Sequence, residues 1–100
     1  MTTYFITRHL GALEWAKLKD VHFDIHLLHL ADLSLLNSGD VVIGILPMHI
    51  IAELNRIGIR YVHLSLNIPV YLRGQELTAF ELFQCEAKLE VYEVTRQPFS

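Results

Sequence analysis

An α/β fold is predicted by three features of the sequence: a Rossmann-like, mostly parallel sheet of about five strands with helices on both faces. Strand-like and helix-like segments alternate with short connections, which calls for right-handed crossovers. Val41-Val42-Ile43-Gly44-Ile45-Leu46 is apolar on both faces, the pattern of a central parallel strand covered by helices. Polar residues follow directly after the strand-like runs, where open α/β sheets bind ligands.

Thr3 to Thr7 reads as the first strand and Gly11 to Lys19 as the first helix. In that helix Leu10, Leu13 and Ala16 share a face, and Glu14 and Lys17 occupy another at a spacing of three. Phe23-Asp24-Ile25-His26-Leu27 alternates apolar and polar, as a strand with one wetter face does. Asp32 to Asn37 is a connection with room for one helical turn, and Asn37-Ser38-Gly39-Asp40 is a turn. After the Val41–Leu46 strand, Pro47 suits the first position of a second helix, which runs through Ile50, Ile51 and Leu54 and stops at Gly58. Arg60-Tyr61-Val62-His63-Leu64-Ser65 is the next strand, interrupted by Asn67-Ile68-Pro69 and followed by a loop to Glu76. Thr78-Ala79-Phe80-Glu81 is a capping box, with Leu77 and Leu82 as its hydrophobic staple, so a short helix starts there. Ala87 to Thr95 is the final strand. The helix before it leaves little length for a crossover, so this strand suits an antiparallel edge.

One hundred residues, 52% of them hydrophobic, suffice for one core, and the expectation is a single domain over residues 1–100. The formal charge of -3 argues against a non-specific binder of long nucleic acid, which needs a broad basic face. A small anion held by a few placed cations remains open. Cys85 is the only cysteine, which excludes an intrachain disulfide framework. Met1-Thr2-Thr3 lacks the basic and apolar regions of a leader, and no apolar run approaches about 18 residues, so a soluble cytoplasmic protein without a membrane partner is expected.

The ends of three strands converge in such a fold: Thr7-Arg8-His9, Leu46-Pro47-Met48-His49 and Ser65-Leu66-Asn67. Thr7, Arg8 and His9 face a helix N-terminus opened by Gly11, where unpaired amides and the helix dipole favour a phosphate. Arg8 can clamp phosphate oxygens bidentately and His9 can move a proton or donate to a phosphoryl oxygen. The competing reading makes Arg8 a surface ion-pair partner and His9 part of the turn. His49, after Pro47, is placed to point into the same crevice, or is an ordinary polar residue at a helix start. Ser65 and Asn67 suit ribose or phosphate contacts, but both types are also common in turns. Lys17 can supply a second cation or simply be solvated, and Arg73 lies in a loop able to close over a ligand.

His22, His26 and His29 would share a face only on a helix, and the alternation around them argues for a strand. No His-Glu-x-x-His or Cys-x-x-Cys pattern is present, so no metal site and no cofactor are expected. His63 reads as a packed strand histidine, and Trp15 as core rather than a stacking platform. Arg8-His9-Leu10-Gly11 resembles the Arg-His-Gly signature of histidine phosphatases, but Leu10 intervenes.

Nearly the whole chain resembles the small stand-alone type III CRISPR-associated proteins of the Csx-sixteen family. The matching stretches are Tyr4 to His9 with Gly11 to Trp15, Gly39 to Gly44 with Leu46 to His49, His63 to Leu66, Arg73 to Leu77, and Glu81-Leu82. Leu10 stands where that family favours Pro, and Cys85 where Gly is commoner. The resemblance implies a ring nuclease, related to the CRISPR-associated Rossmann fold, that binds cyclic oligoadenylate, chiefly cyclic tetra-adenylate, as a homodimer. It further implies metal-independent attack of a ribose 2′-hydroxyl, giving 2′,3′-cyclic phosphate products and switching off antiviral signalling. On that reading Arg8 and His9 are the catalytic candidates, while Thr7, Gly11, Lys17, Pro47, His49, Ser65, Asn67 and Arg73 are the ligand-binding ones. A non-catalytic binder of the same ring is the alternative, and a phosphatase using His9 as nucleophile is a further one.

Overall fold

The computed structural model describes residues 1–99. Its elements are β1 (Thr3–Ile6), α1 (Leu10–Leu18), β2 (Ile25–Leu27), β3 (Val41–Gly44), α2 (Met48–Arg56), β4 (Arg60–Ser65), α3 (Ala79–Gln84) and β5 (Lys88–Tyr92). Two 3₁₀ turns, Leu33–Leu35 and Val70–Leu72, sit in the longer connections. The sheet order is β2-β1-β3-β4-β5. β1 to β4 are parallel, and β5 runs antiparallel on the edge. This is the mostly parallel, Rossmann-like sheet expected from the sequence, with its antiparallel edge.

The period-two alternation of each strand supplies two cores, one on each face. On the first, Phe5, Ile43 and Leu64 pack against Ala12, Trp15 and Ala16 of α1 and Ala79 and Leu82 of α3. On the second, Ile6, Val42 and Tyr61 pack against Ile51 and Leu54 of α2, with Leu36 and Ile59 completing the layer. Trp15 is therefore core, 2% exposed. No described helix is long and apolar enough to cross a membrane.

Several boundaries differ from the sequence reading, each for a local reason. The second strand is only Ile25–Leu27, because Asp24 is spent on the turn before it. Its carboxylate accepts from the Thr3 amide at 2.8 Å while its own amide donates to the Thr3 carbonyl. The third strand ends at Gly44 instead of Leu46, and the last is Lys88–Tyr92, because β4 offers partners only as far as Tyr61↔Tyr92. Pro47 is the N-cap of α2 rather than its first helical residue, with extended backbone and a carbonyl that accepts from the Ile50 and Ile51 amides. α1 begins at Leu10, one residue early, with His9 as its N-cap. Gly58 does end α2, at φ +88°, where a side chain would be strained. The capping box of α3 is complete: the Glu81 amide donates to Thr78 Oγ1, and the Glu81 carboxylate accepts from the Thr78 amide, both at 3.1 Å.

The floor of the sheet, at the amino ends of the strands, is tied by carboxylates. Asp40 is buried and accepts from the amides of Thr2 and Asn37, each at 2.9 Å. The backbone bond from Asn37, with the one from Thr2, holds the Asp40 carboxyl below the usual carboxylate range. Both bonds anchor β1 and the turn into β3, which leaves the opposite rim of the sheet free to carry a site.

Candidate functional site

The strand order 2-1-3-4-5 places a topological switch between β1 and β3, and a cleft opens there beyond their carboxyl ends. It has a volume of about 720 Å³. Thr7, Arg8 and His9 form one wall, Ile45, Leu46, Pro47 and Ile50 another, and Leu66 and Ile68 a third. His29 and the segment Gly74-Gln75-Glu76-Leu77 complete the mouth. All three strand ends expected to converge do so, although the third contributes apolar rather than polar side chains.

The N-cap residues of two helices on opposite faces of the sheet, His9 of α1 and Pro47 of α2, line this cleft. In α1 the Ala12 amide reaches the His9 carbonyl at 3.1 Å, and the amides of Leu10 and Gly11 have no intrahelical acceptor. In α2 the Ile50 and Ile51 amides share the Pro47 carbonyl, so those of Met48 and His49 are in the same position. His9 makes no side-chain cap, Pro47 cannot make one, and neither first turn carries an acidic residue. The partial positive charge at both helix starts is thus left uncompensated within the helices.

Arg8 is exposed at the cleft, and among the described residues its guanidinium makes neither an ion pair nor a hydrogen bond. The surface ion pair that would explain it away is absent among those residues. Thr7 folds the turn: its hydroxyl accepts from the His9 amide at 3.1 Å and its amide donates to the Leu27 carbonyl at 3.0 Å. From β2, His26 Nε2 donates to the Thr7 carbonyl at 2.8 Å. His9 Nδ1 lies 2.6 Å from Glu76 Oε1.

Other expected site residues lie elsewhere. Lys17 is exposed in the last turn of α1, at the far end of the helix from the cleft. His49 is exposed in the first turn of α2 but outside the cleft wall, and its carbonyl accepts from Arg96 Nη2 at 3.4 Å. The Ser65 hydroxyl is buried without a hydrogen bond of good geometry. It is still close enough to the Glu90 carboxylate to be the main reason that group sits below its ordinary range. Asn67 is exposed, its amide donating to the Cys85 carbonyl at 2.8 Å. Arg73 is exposed beside the mouth, while its neighbour Gly74 lines it. Gly11 does not touch the cleft; it is buried under Leu77, and a Cβ built there would lie 1.9 Å from the Leu77 carbonyl oxygen. The residues brought together are therefore Thr7, Arg8, His9 and Pro47.

Glu76, Gln75, His29 and Tyr61 were not expected. Tyr61 is fully buried and braces the cleft from below. Its hydroxyl donates to the Gly44 carbonyl at 2.8 Å and accepts from the Leu46 amide at 3.1 Å. Since a phenol has one proton to give, His63 Nδ1, 2.7 Å away, must be a donor to it. Burial pushes the Tyr61 phenol up, so the proton that Gly44 needs stays in place at neutral pH. Tyr61→Phe strands the Gly44 carbonyl and the Leu46 amide, and is expected to lower unfolding free energy by about 1–3 kcal/mol. A urea melt reads this, and an unchanged midpoint would remove Tyr61 as the brace. The three histidines at 22, 26 and 29 are dispersed: His22 meets Asp24 at 3.2 Å, His26 holds Thr7, and His29 borders the cleft. Among the described residues no three His, Cys, Asp or Glu side chains form a metal-binding cluster.

A model of one protein family, described as "Putative CRISPR-associated protein (Cas_VVA1548)", matches residues 4–95. The chain belongs to that family. The match runs from β1 through the residue after Val94, so it spans every strand and every wall of the cleft in this CRISPR-associated chain. No curated protein and no solved structure matches the chain.

Proposed function

We propose that this CRISPR-associated protein is a ring nuclease that binds cyclic oligoadenylate, chiefly cyclic tetra-adenylate, and cleaves it without a metal. The observation that carries the reading is the unpaired Arg8 guanidinium beside His9, in a cleft at the strand switch that the N-caps of two helices also line. Backbone amides, helix dipoles and a fixed cation together favour a phosphodiester. The apolar walls suit the faces of bases, and the net charge of -3 disfavours long polyanions. Membership of a CRISPR-associated family agrees with a role in that system, and the resemblance to Csx-sixteen proteins is what implies this class of ligand.

In the reaction the ribose 2′-oxygen attacks the adjacent phosphorus in line, and the bond to the 5′-oxygen breaks. The products end in a 2′,3′-cyclic phosphate. Arg8 stabilises charge on the phosphoryl oxygens, His9 handles the proton, and Thr7 shapes the turn that presents both. Holding the reacting groups in line contributes roughly 7 to 11 kcal/mol.

A twofold homodimer accounts for a ring of four identical nucleotides, each copy supplying half of the pocket. Consistent with a covered surface, Leu10, Leu28, Ile45 and Met48, which follow the strand ends or open the helices, are each more than half exposed. Incubation with cyclic tetra-adenylate in excess chelator, with products identified by mass spectrometry, tests the reading. Linear products ending in 2′,3′-cyclic phosphate support it, and an intact ring in the presence of protein shown to bind it overturns the nuclease claim.

A further inference from the structure

We infer that Glu76 is a positioning residue for His9, holding the imidazole with its proton on Nδ1 so that Nε2 is free to accept a proton in the cleft. The starting point is the 2.6 Å contact between His9 Nδ1 and Glu76 Oε1, made by residues 67 apart in sequence. A carboxylate only accepts, so Nδ1 is the donor and the neutral ring carries its lone pair on Nε2. Both side chains are more than half exposed, so the pair depends on how well its backbones are held.

The backbones are held well. Leu77, the next residue after Glu76, has its carbonyl against the Cα of Gly11, where even a methyl group would not fit. Gly11 is two residues from His9 in the first turn of α1. On the other side, Thr78 is locked by the capping box of α3, and Leu82 and Ala79 of that helix are buried with Ala12 and Trp15 of α1. The His9 turn and the Glu76 segment therefore form one rigid corner, which distinguishes a fixed orienting group from a mobile lid.

The inference rests on the ring-nuclease reading for its catalytic consequence, though not for the pairing itself. In that reaction the 2′-hydroxyl proton passes to Nε2 as the 2′-oxygen forms its bond to phosphorus. The Glu76 carboxylate stabilises the resulting imidazolium. The 5′-oxygen leaves with the electron pair of the broken bond and takes a proton from solvent, and the imidazolium returns its proton to solvent.

The test uses the full chain with Glu76→Ala, His9→Ala and the double variant. Imidazole ¹⁵N shifts of the free wild-type protein should show His9 as the Nδ1–H tautomer, and E76A, which removes the acceptor, should lose that preference. Single-turnover cleavage of cyclic tetra-adenylate by E76A should fall at least roughly tenfold, within what proton-transfer assistance contributes. Its ring affinity should stay within about twofold of wild type, since Glu76 acts on the base rather than on ligand binding. The double variant should be no slower than H9A alone, as expected of residues acting as a unit. An unchanged tautomer in E76A overturns the pairing whatever the substrate. A changed tautomer with an unchanged rate overturns the positioning role while leaving ring cleavage standing. A wild-type protein that binds the ring without cutting it overturns the nuclease reading and the catalytic role of Glu76 together, while the Nδ1–H tautomer would still establish the pairing.

Discussion

Replacing Arg8 by alanine is expected to slow cleavage of cyclic tetra-adenylate by about a hundredfold or more, with the fold untouched. The magnitude follows from removing one preorganised donor to a developing oxyanion, about 3 to 4 kcal/mol. The clean separation of activity from stability follows from the surroundings of Arg8. It is exposed, and among the described residues its guanidinium has no partner whose charge would be orphaned by the change. Single-turnover kinetics beside a thermal melt reads both quantities at once. An unchanged rate would remove Arg8 from the site, and a large drop in melting temperature would recast it as a structural residue. Arg8→Lys is a useful companion, because a lysine keeps the charge but loses the bidentate fork.

Gly11→Ala is expected to give the largest structural effect of any single methyl group near the cleft. Alanine would ordinarily be the better helix residue by up to about 1 kcal/mol. Here its Cβ would lie 1.9 Å from the Leu77 oxygen and 3.0 Å from the Leu77 carbonyl carbon, both of them backbone atoms with no rotamer to escape into. Either α1 moves off the sheet or the segment before α3 moves away from α1. Overpacking of this kind costs roughly 1–3 kcal/mol. Allowing about 4–8 °C per kcal/mol for a chain this size, the melting temperature should fall by roughly 10 °C. The displacement also separates Glu76 from His9, so activity should fall with it. A variant as stable as the wild type would show that the contact between Gly11 and Leu77 is not the constraint argued above.

Much of this architecture was legible in the sequence, because the signals involved are local. The doubly apolar run at Val41–Gly44, the stop at Gly58, the capping box at Thr78 and the polar residues after β1 each depend on a few adjacent positions. The candidate cleft was legible only in part. Thr7, Arg8, His9 and Pro47 were expected from where polar or helix-starting residues follow a strand, and they do line one cleft. Ser65 and Asn67 were placed by the same rule and fall outside it, because beyond β4 the chain turns toward Cys85 and presents Leu66 and Ile68 instead. Glu76 had no local signal: it reaches His9 only because α3 packs on α1 and brings a distant loop to the helix start. Tyr61 was placed in the Arg60–Ser65 strand with no local signal of a special role. Its importance comes from its hydroxyl meeting Gly44 and Leu46 across the neighbouring strand, a matter of register rather than composition.

Turnover by limiting protein is the measurement that decides between cutting the ring and holding it. With metal chelated and rings in about a hundredfold excess over protein, every ring is expected to be opened. The products are linear species ending in 2′,3′-cyclic phosphate, and Arg8→Ala suppresses their formation. Rings that remain intact, or consumption that halts once each pocket has taken up a single ring, would contradict it and leave a protein that holds the messenger without cutting it.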